Sequence, residues 1–140
     1  MRFDDDTSFH LIGIGGIGVS GVARILHQRG FRVTGSDVRE SSITRALVEE
    51  GMEVTIGHEP ENVDGADYVV QSTAIPEDNI ELEAARKRDI AIIHRSELLH
   101  ELIRHKGVIG VTGTHGKGTV SSMIAWILET AGWEPGFVIG

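Results

Sequence analysis

Two glycine-rich segments hold the residues best suited to chemistry in this chain. Gly13-Ile14-Gly15-Gly16-Ile17-Gly18 follows an apolar run at 9–14, and Thr112-Gly113-Thr114-His115-Gly116-Lys117-Gly118-Thr119 follows another at 108–111. A glycine loop between a strand and a helix gathers backbone N–H groups and a positive helix end at one point, which suits a phosphate. Lys117 adds an ammonium group for the β- and γ-phosphates of ATP. Two such cradles imply two nucleotides, and a dehydrogenase would need only the first.

In the first loop Gly13 permits the tight turn, Gly15 lets backbone approach a diphosphate, and Gly18 lets helix and strand pack closely. Asp37, after the second apolar run, is placed to accept a ribose hydroxyl, or else it caps the next helix or finishes a turn. The second loop departs twice from the formal P-loop pattern. Val111 stands where the spacing requires glycine, and Gly118 stands where a hydroxyl residue should follow the lysine. The alternative reading of each loop is a glycine-rich turn at a close helix–strand junction, with Lys117 solvated.

The elements that must position these loops are legible as alternating patterns. Apolar runs at 9–14, 31–34, 52–56, 68–72, 90–93 and 108–111 read as buried parallel strands. Helical spacing covers 17–28, the region around 43–49, the stretch through 84–87, 97–104 and 119–130, with Gly30, Gly51, Gly107 and Gly132 as stops. Asp78 followed by Glu81 resembles a capping box. Leu98, Leu99, Leu102 and Ile103 form a core stripe, and Arg86-Lys87-Arg88 reads as a solvated helix end. The crossover at 57–65 is rich in turn residues. Together these favour an α/β, Rossmann-like, doubly wound parallel sheet at 1–106, followed at 107–140 by the first strand-loop-helix of a P-loop ATPase domain.

With 13 basic and 21 acidic residues among 140, the net charge of −8 argues against a nucleic-acid or anionic-membrane surface, so a small anion is the expected ligand. The absence of cysteine excludes disulfides, thiolate metal sites and a cysteine nucleophile. An acidic start, Met1 to Asp6, and the lack of a bilayer-length apolar run give the expectation of a soluble cytoplasmic protein. His94, His100 and His105 show no metal-ligand spacing, and no structural metal is expected.

The first loop, Val33-Thr34-Gly35-Ser36-Asp37, Ser72-Thr73-Ala74-Ile75, His94-Arg95-Ser96-Glu97-Leu98-Leu99 and Gly113-Thr114-His115-Gly116-Lys117 resemble, in order, the N-terminal part of the Mur ligase family. The likeness runs from about His10 to Gly140, and the ordered set is far more specific than any one motif. The stretch 122–140 looks more like members that recycle cell-wall peptide. The resemblance implies a UDP-sugar domain, a central ATPase and a third domain, of which this chain would hold the first and the opening of the second and would not catalyse alone. It implies that ATP phosphorylates the carboxylate of UDP-N-acetylmuramate, and that L-alanine or a peptide then attacks the acyl phosphate to form an amide.

By the same resemblance, Gly15, Gly16, Ile17 and Gly18 would face the UDP diphosphate, Asp37 and His58 the nucleotide sugar, and Ser72 and Thr73 its sugar-phosphate side. Gly113, Thr114, His115, Gly116, Lys117, Gly118 and Thr119 would bind ATP, with Lys117 stabilising charge during transfer. Family members usually carry Thr or Ser at the position of Gly118, so Thr119 is the nearest hydroxyl for Mg2+. Glycine there resembles folylpolyglutamate synthetases, whose N-terminal region does not look like residues 10–100. His58 could equally be a solvent-exposed loop residue, and Ser72 and Thr73 ordinary strand-end hydroxyls bonded to backbone. A nicotinamide-dependent oxidoreductase, which leaves Lys117 without a task, and a non-catalytic nucleotide-sugar sensor are the readings from other classes.

Overall fold

The computed structural model describes residues 2–104, 110, 113 and 115–132. Five parallel strands, β1 (Ser8–Ile12), β2 (Arg32–Asp37), β3 (Glu53–Ile56), β4 (Tyr68–Gln71) and β5 (Ala91–His94), form one sheet in the order β3-β2-β1-β4-β5. The chain winds outward from β1 to β3, then crosses back to place β4 on the other side of β1. This reversal creates a switch point at the carboxyl ends of the central strands, where open α/β sheets bind ligands.

Alternation along the strands sorts side chains to two cores. Phe9, Leu11, Val33, Val70 and Ile93 pack against α1 (Ile17–Gln28), α2 (Ser42–Glu49) and α4 (Arg95–Ile103), joined by Val22, Leu26, Leu47, Leu98 and Leu102. Ile12 and Val69 face the other way, against Val63, Leu82 and Ala85, the last two on α3 (Ile80–Lys87). At the amino end of the sheet Phe9 meets Phe3 edge-on with ring centroids 5.1 Å apart, and Phe31 and Tyr68 complete the aromatic group.

β1 ends at Ile12, two residues short of the expected run, because Gly13 turns at φ 71° and the Gly13 and Ile14 amides both donate to the Ser36 carbonyl. β2 runs three residues past its apolar stretch. Its Gly35-Ser36-Asp37 end could finish a turn by its residue types, yet Gly35 and Ser36 pair with both β1 and β3, and Asp37 pairs with β3. Gly35 makes this possible: a Cβ there would lie 2.7 Å from the Cβ of Ile14.

α3 is capped by Asn79, not by the expected Asp78. The Asn79 Oδ1 accepts from the amides of Glu81 (2.9 Å) and Leu82 (3.4 Å), which leaves the Glu81 side chain free to turn inward. Arg86 and Arg88 are tethered where a solvated end was expected, Arg86 to Glu77 at 2.8 Å and Arg88 to Asp64 at 2.5 Å. The irregular crossover contains a 3-10 turn, Pro60–Val63.

The expected sixth strand, 108–111, lies outside the described residues apart from Gly110, which is in no strand. α5 (Lys117–Thr130) buries Ala125 and exposes Val120, Met123, Trp126 and Ile127. Among the described residues no helix is long and apolar enough to cross a membrane.

Candidate functional site

The first glycine loop stands at the carboxyl end of β1, against those of β2 and β3. Asp37, the last residue of β2, accepts the Gly15 amide on Oδ2 at 2.8 Å and the Val38 amide on Oδ1 at 2.7 Å. It therefore braces the loop from below, and a Cβ on Gly15 would come within 2.6 Å of that carboxylate. The Gly57 amide donates to the Asp37 carbonyl at 2.7 Å, which brings the end of β3 and His58 to the same edge.

Helix α1 starts from Gly16 with no side-chain cap, and the amides of Ile17, Gly18 and Val19 have no partner among the described residues. Unsatisfied amides at a helix start, together with the helix dipole, attract an anion. Gly18 serves a different contact from the one expected of it. The room left by its missing side chain is filled by Arg95, the first residue of α4, since a Cβ there would lie 2.6 Å from Arg95 Nη1. The guanidinium has no acceptor among the described residues, although it sits beside a positive helix end. Two like charges in contact repel, and an anion between them reverses the sign of both interactions.

A polar network lies beneath this edge, on the α3 side of the sheet. Glu81, fully buried, takes His10 Nε2–H on Oε1 at 2.8 Å, and on Oε2 it takes the Ser36 hydroxyl at 2.6 Å and His58 Nδ1–H. His10, 1% exposed, keeps its other ring nitrogen, Nδ1, on the Thr34 hydroxyl at 2.8 Å. Burial pushes the Glu81 carboxyl up, but hydrogen bonds from His10 and Ser36, the His10 charge and the His58 bond outweigh it, and the group titrates below the ordinary carboxylate range.

A carboxylate lowered on folding contributes stability that is complete above its unfolded pKa of about 4.3 and is lost as pH falls through the folded value. Urea unfolding of the parent chain and of Glu81→Gln should therefore show a part of the acid-side stability loss that is present only in the parent. Identical pH slopes would contradict the assignment.

Ser72 and Thr73 follow β4, Ser72 half-buried and Thr73 exposed, and neither hydroxyl bonds to a described residue. In the second loop Thr114 lies outside the described residues, as does the preceding Thr112. Gly113 (φ 145°) and Gly116 (φ 76°) both hold conformations that favour glycine, and Lys117 opens α5 exposed to solvent, followed by Gly118 and the exposed Thr119. The amides of Lys117, Gly118 and Thr119 have no partner among the described residues, the same arrangement as at α1. His115 is exposed. His94 caps α4 through Nδ1, which accepts the Ser96 amide at 3.3 Å, while His105 lies outside the described residues. Among the described residues no group of three or more His, Asp or Glu could hold a metal.

The structure thus brings Gly15, Gly16, Ile17, Gly18, Asp37 and His58 to one edge. It also brings there Arg95 and, behind His58, Glu81 and His10, none of which the sequence assigns to the site: Arg95 lies in a motif of the resemblance without a role of its own, and the spacing of Glu81 from Asp78 points only to a capping box. The signal for His10 was present: a polar residue among the uniformly buried positions of β1 requires a partner.

Comparison with known proteins gives a consistent picture. A family model described as Mur ligase family, catalytic domain, matches residues 8–107. The UDP-N-acetylmuramate--L-alanine ligase of Azorhizobium caulinodans is 47% identical over 133 residues, 95% of this chain and 28% of the relative. That of Symbiobacterium thermophilum is 52% identical over 132 residues, 94% of this chain and 27% of the relative. The chain thus spans under a third of the length of these curated relatives.

Among crystal structures, the UDP-N-acetylmuramate-alanine ligase of Thermotoga maritima aligns at 32% identity and TM-score 0.85, covering 89% of this chain and 29% of that one. The UDP-N-acetylmuramate:L-alanyl-gamma-D-glutamyl-meso-diaminopimelate ligase of Neisseria meningitides aligns at 36% identity and TM-score 0.89, covering 96% of this chain and 43% of that one.

Proposed function

Because the chain belongs to the Mur ligase family, we propose that it is the nucleotide-sugar-binding part, with the opening of the ATP-binding part, of a cytoplasmic ATP-dependent amide ligase of peptidoglycan synthesis. The division falls near 106–107. The substrates are UDP-N-acetylmuramate and L-alanine, the compounds in the names of the most similar curated relatives. A peptide in place of L-alanine is the second reading, favoured by the TM-score of 0.89 to the Neisseria ligase.

The observation that carries the proposal is the Arg95 guanidinium packed on Gly18, beside three amides of α1, all without partners among the described residues. That pairing suits a diphosphate, whose charge would be shared between backbone N–H groups and a planar bidentate donor. Ser72 and Thr73, at the end of the neighbouring β4, offer hydroxyls without a partner among the described residues to the sugar-phosphate side.

At the second loop, the amides of Lys117, Gly118 and Thr119 with the Lys117 ammonium suit the phosphates of ATP, along with Gly113, Thr114, His115 and Gly116. Mg2+ supplied with the triphosphate would offset part of its charge. The residues present fit it sparingly, since Gly118 has no side-chain oxygen and the exposed Thr119 hydroxyl is the donor on the first turn of α5. Lys117 then holds the γ-phosphate as it passes to the muramyl carboxylate. The developing charge needs a cation at hand, and Lys117, at the start of α5, supplies one.

Calorimetric titration of the chain with UDP-N-acetylmuramate and with NAD tests the reading. Saturable binding of the UDP-sugar and none of NAD is the expected result. Binding of NAD alone, with no response to the UDP-sugar, would overturn the nucleotide-sugar assignment of the first loop.

A further inference from the structure

The carboxylate of Glu81 is buried and touches no surface, yet it reaches the edge of the site through one ring. Burying a lone carboxylate costs several kcal/mol, and even a well-paired one is seldom more stabilising than an apolar residue of the same size. Such a group is retained when it specifies a geometry. Of its three partners, His10 and Ser36 are as buried as Glu81 itself, and His58 alone emerges, with its side chain 17% exposed.

His58 Nδ1 is committed to Glu81 and lies 3.2 Å from the Ser36 hydroxyl, while Nε2 has no partner among the described residues. Glu81 cannot follow the ring if it turns, because His10 pins Oε1 and Ser36 pins Oε2, and His10 is itself anchored to Thr34. The chain of bonds runs from β2 through β1 and α3 and ends on the ring of His58, just past β3.

We propose that Glu81 is a positioning residue for nucleotide recognition: it takes the Nδ1 proton of His58 and so presents Nε2 as a hydrogen-bond acceptor to an O–H or N–H donor of the bound nucleoside. The choice of tautomer decides what the ring can recognise. With Nδ1–H given to a carboxylate, the Nε2 of the neutral ring carries a lone pair, which selects a ribose hydroxyl or a base N–H and rejects a phosphate oxygen. Phosphate recognition is left to the α1 amides and Arg95. This inference rests on the nucleotide-sugar reading above.

UDP is the probe, with 2′-deoxy-UDP and N3-methyl-UDP as analogues that each lack one donor. Long-range proton–nitrogen spectra of the unsubstituted chain should show His58 protonated at Nδ1. In Glu81→Gln that preference should be lost, and UDP affinity should fall by about tenfold, the equivalent of one hydrogen bond. His58→Ala should weaken UDP by the same factor, and the double variant should be no weaker than either single one. One of the two analogues should bind the parent and His58→Ala equally well, which identifies the donor.

A parent ring protonated at Nε2 overturns the proposal without recourse to any variant, so an unfolded Glu81→Gln would not shelter it. UDP binding unchanged in a folded Glu81→Gln overturns it too, and leaves the nucleotide-sugar reading standing. A parent chain that ignores UDP ends both.

Discussion

Gly35→Ala should lower the unfolding free energy by about 2–3 kcal/mol, the upper part of the range for overpacking a close-packed interior. The added methyl would lie 2.3 Å from Ile14 Cδ1, 2.7 Å from its Cβ and 2.9 Å from its Cγ1. The Cδ1 contact could be relieved by a rotamer change. The Cβ contact cannot, because it is fixed by the backbone of a fully buried residue whose amide, like that of Gly13, is bonded to Ser36.

Relief must therefore come from moving β2 against the glycine loop. Urea denaturation should show a lower midpoint at unchanged slope. Ile14→Ala removes two of the three contacts, so the double variant should be less unstable than the two single losses added together. A Gly35→Ala chain as stable as its parent would show that the loop and β2 do not pack as described.

If the proposed ligase activity holds, Lys117→Ala, made in the enzyme with all its domains, should reduce kcat by about 100- to 1,000-fold, the usual loss when one donor to a developing charge is removed. The dissociation constant for UDP-N-acetylmuramate should stay within about twofold of the parent, because Lys117 opens α5 while the diphosphate is assigned to the amides of α1 and Arg95. Rapid-quench turnover and direct titration measure the two separately. Equal loss of both quantities would mean that the two loops serve one ligand.

Much of this architecture could be read from residue order. α1 spans Ile17–Gln28, as the periodicity predicts, because glycine loops mark it at both ends and its apolar side has no competing pattern. The strands were legible as apolar runs, but their ends were not. Gly35-Ser36-Asp37 carries turn residues, and only the tertiary demand of Ile14 for space, with pairing on both sides, makes it strand.

The site was legible where it is made of backbone and obscure where it is made of side chains distant in sequence. Glu81 sits on a helix with two acidic residues in its first turn, so charge alone gives no sign that it points inward. His10 and Glu81 are 71 residues apart, and their bond exists only because α3 lies across β1. Arg95 is ordinary in composition, and its place against Gly18 depends on how α4 crosses α1.

The aromatic group of Phe3, Phe9, Phe31 and Tyr68 lies at the opposite rim of the sheet from the glycine loop. Edge-on rings, with Phe9 and Tyr68 stacked, hold that rim shut through dispersion and apolar burial that need no ion pair. The same five strands are thus clamped at one extremity and left chemically unfinished at the other. Gly35, Ile14 and Glu81 serve stability and ligand geometry at once, whereas the aromatic rim serves stability alone, so an engineer could retune that rim without touching the site.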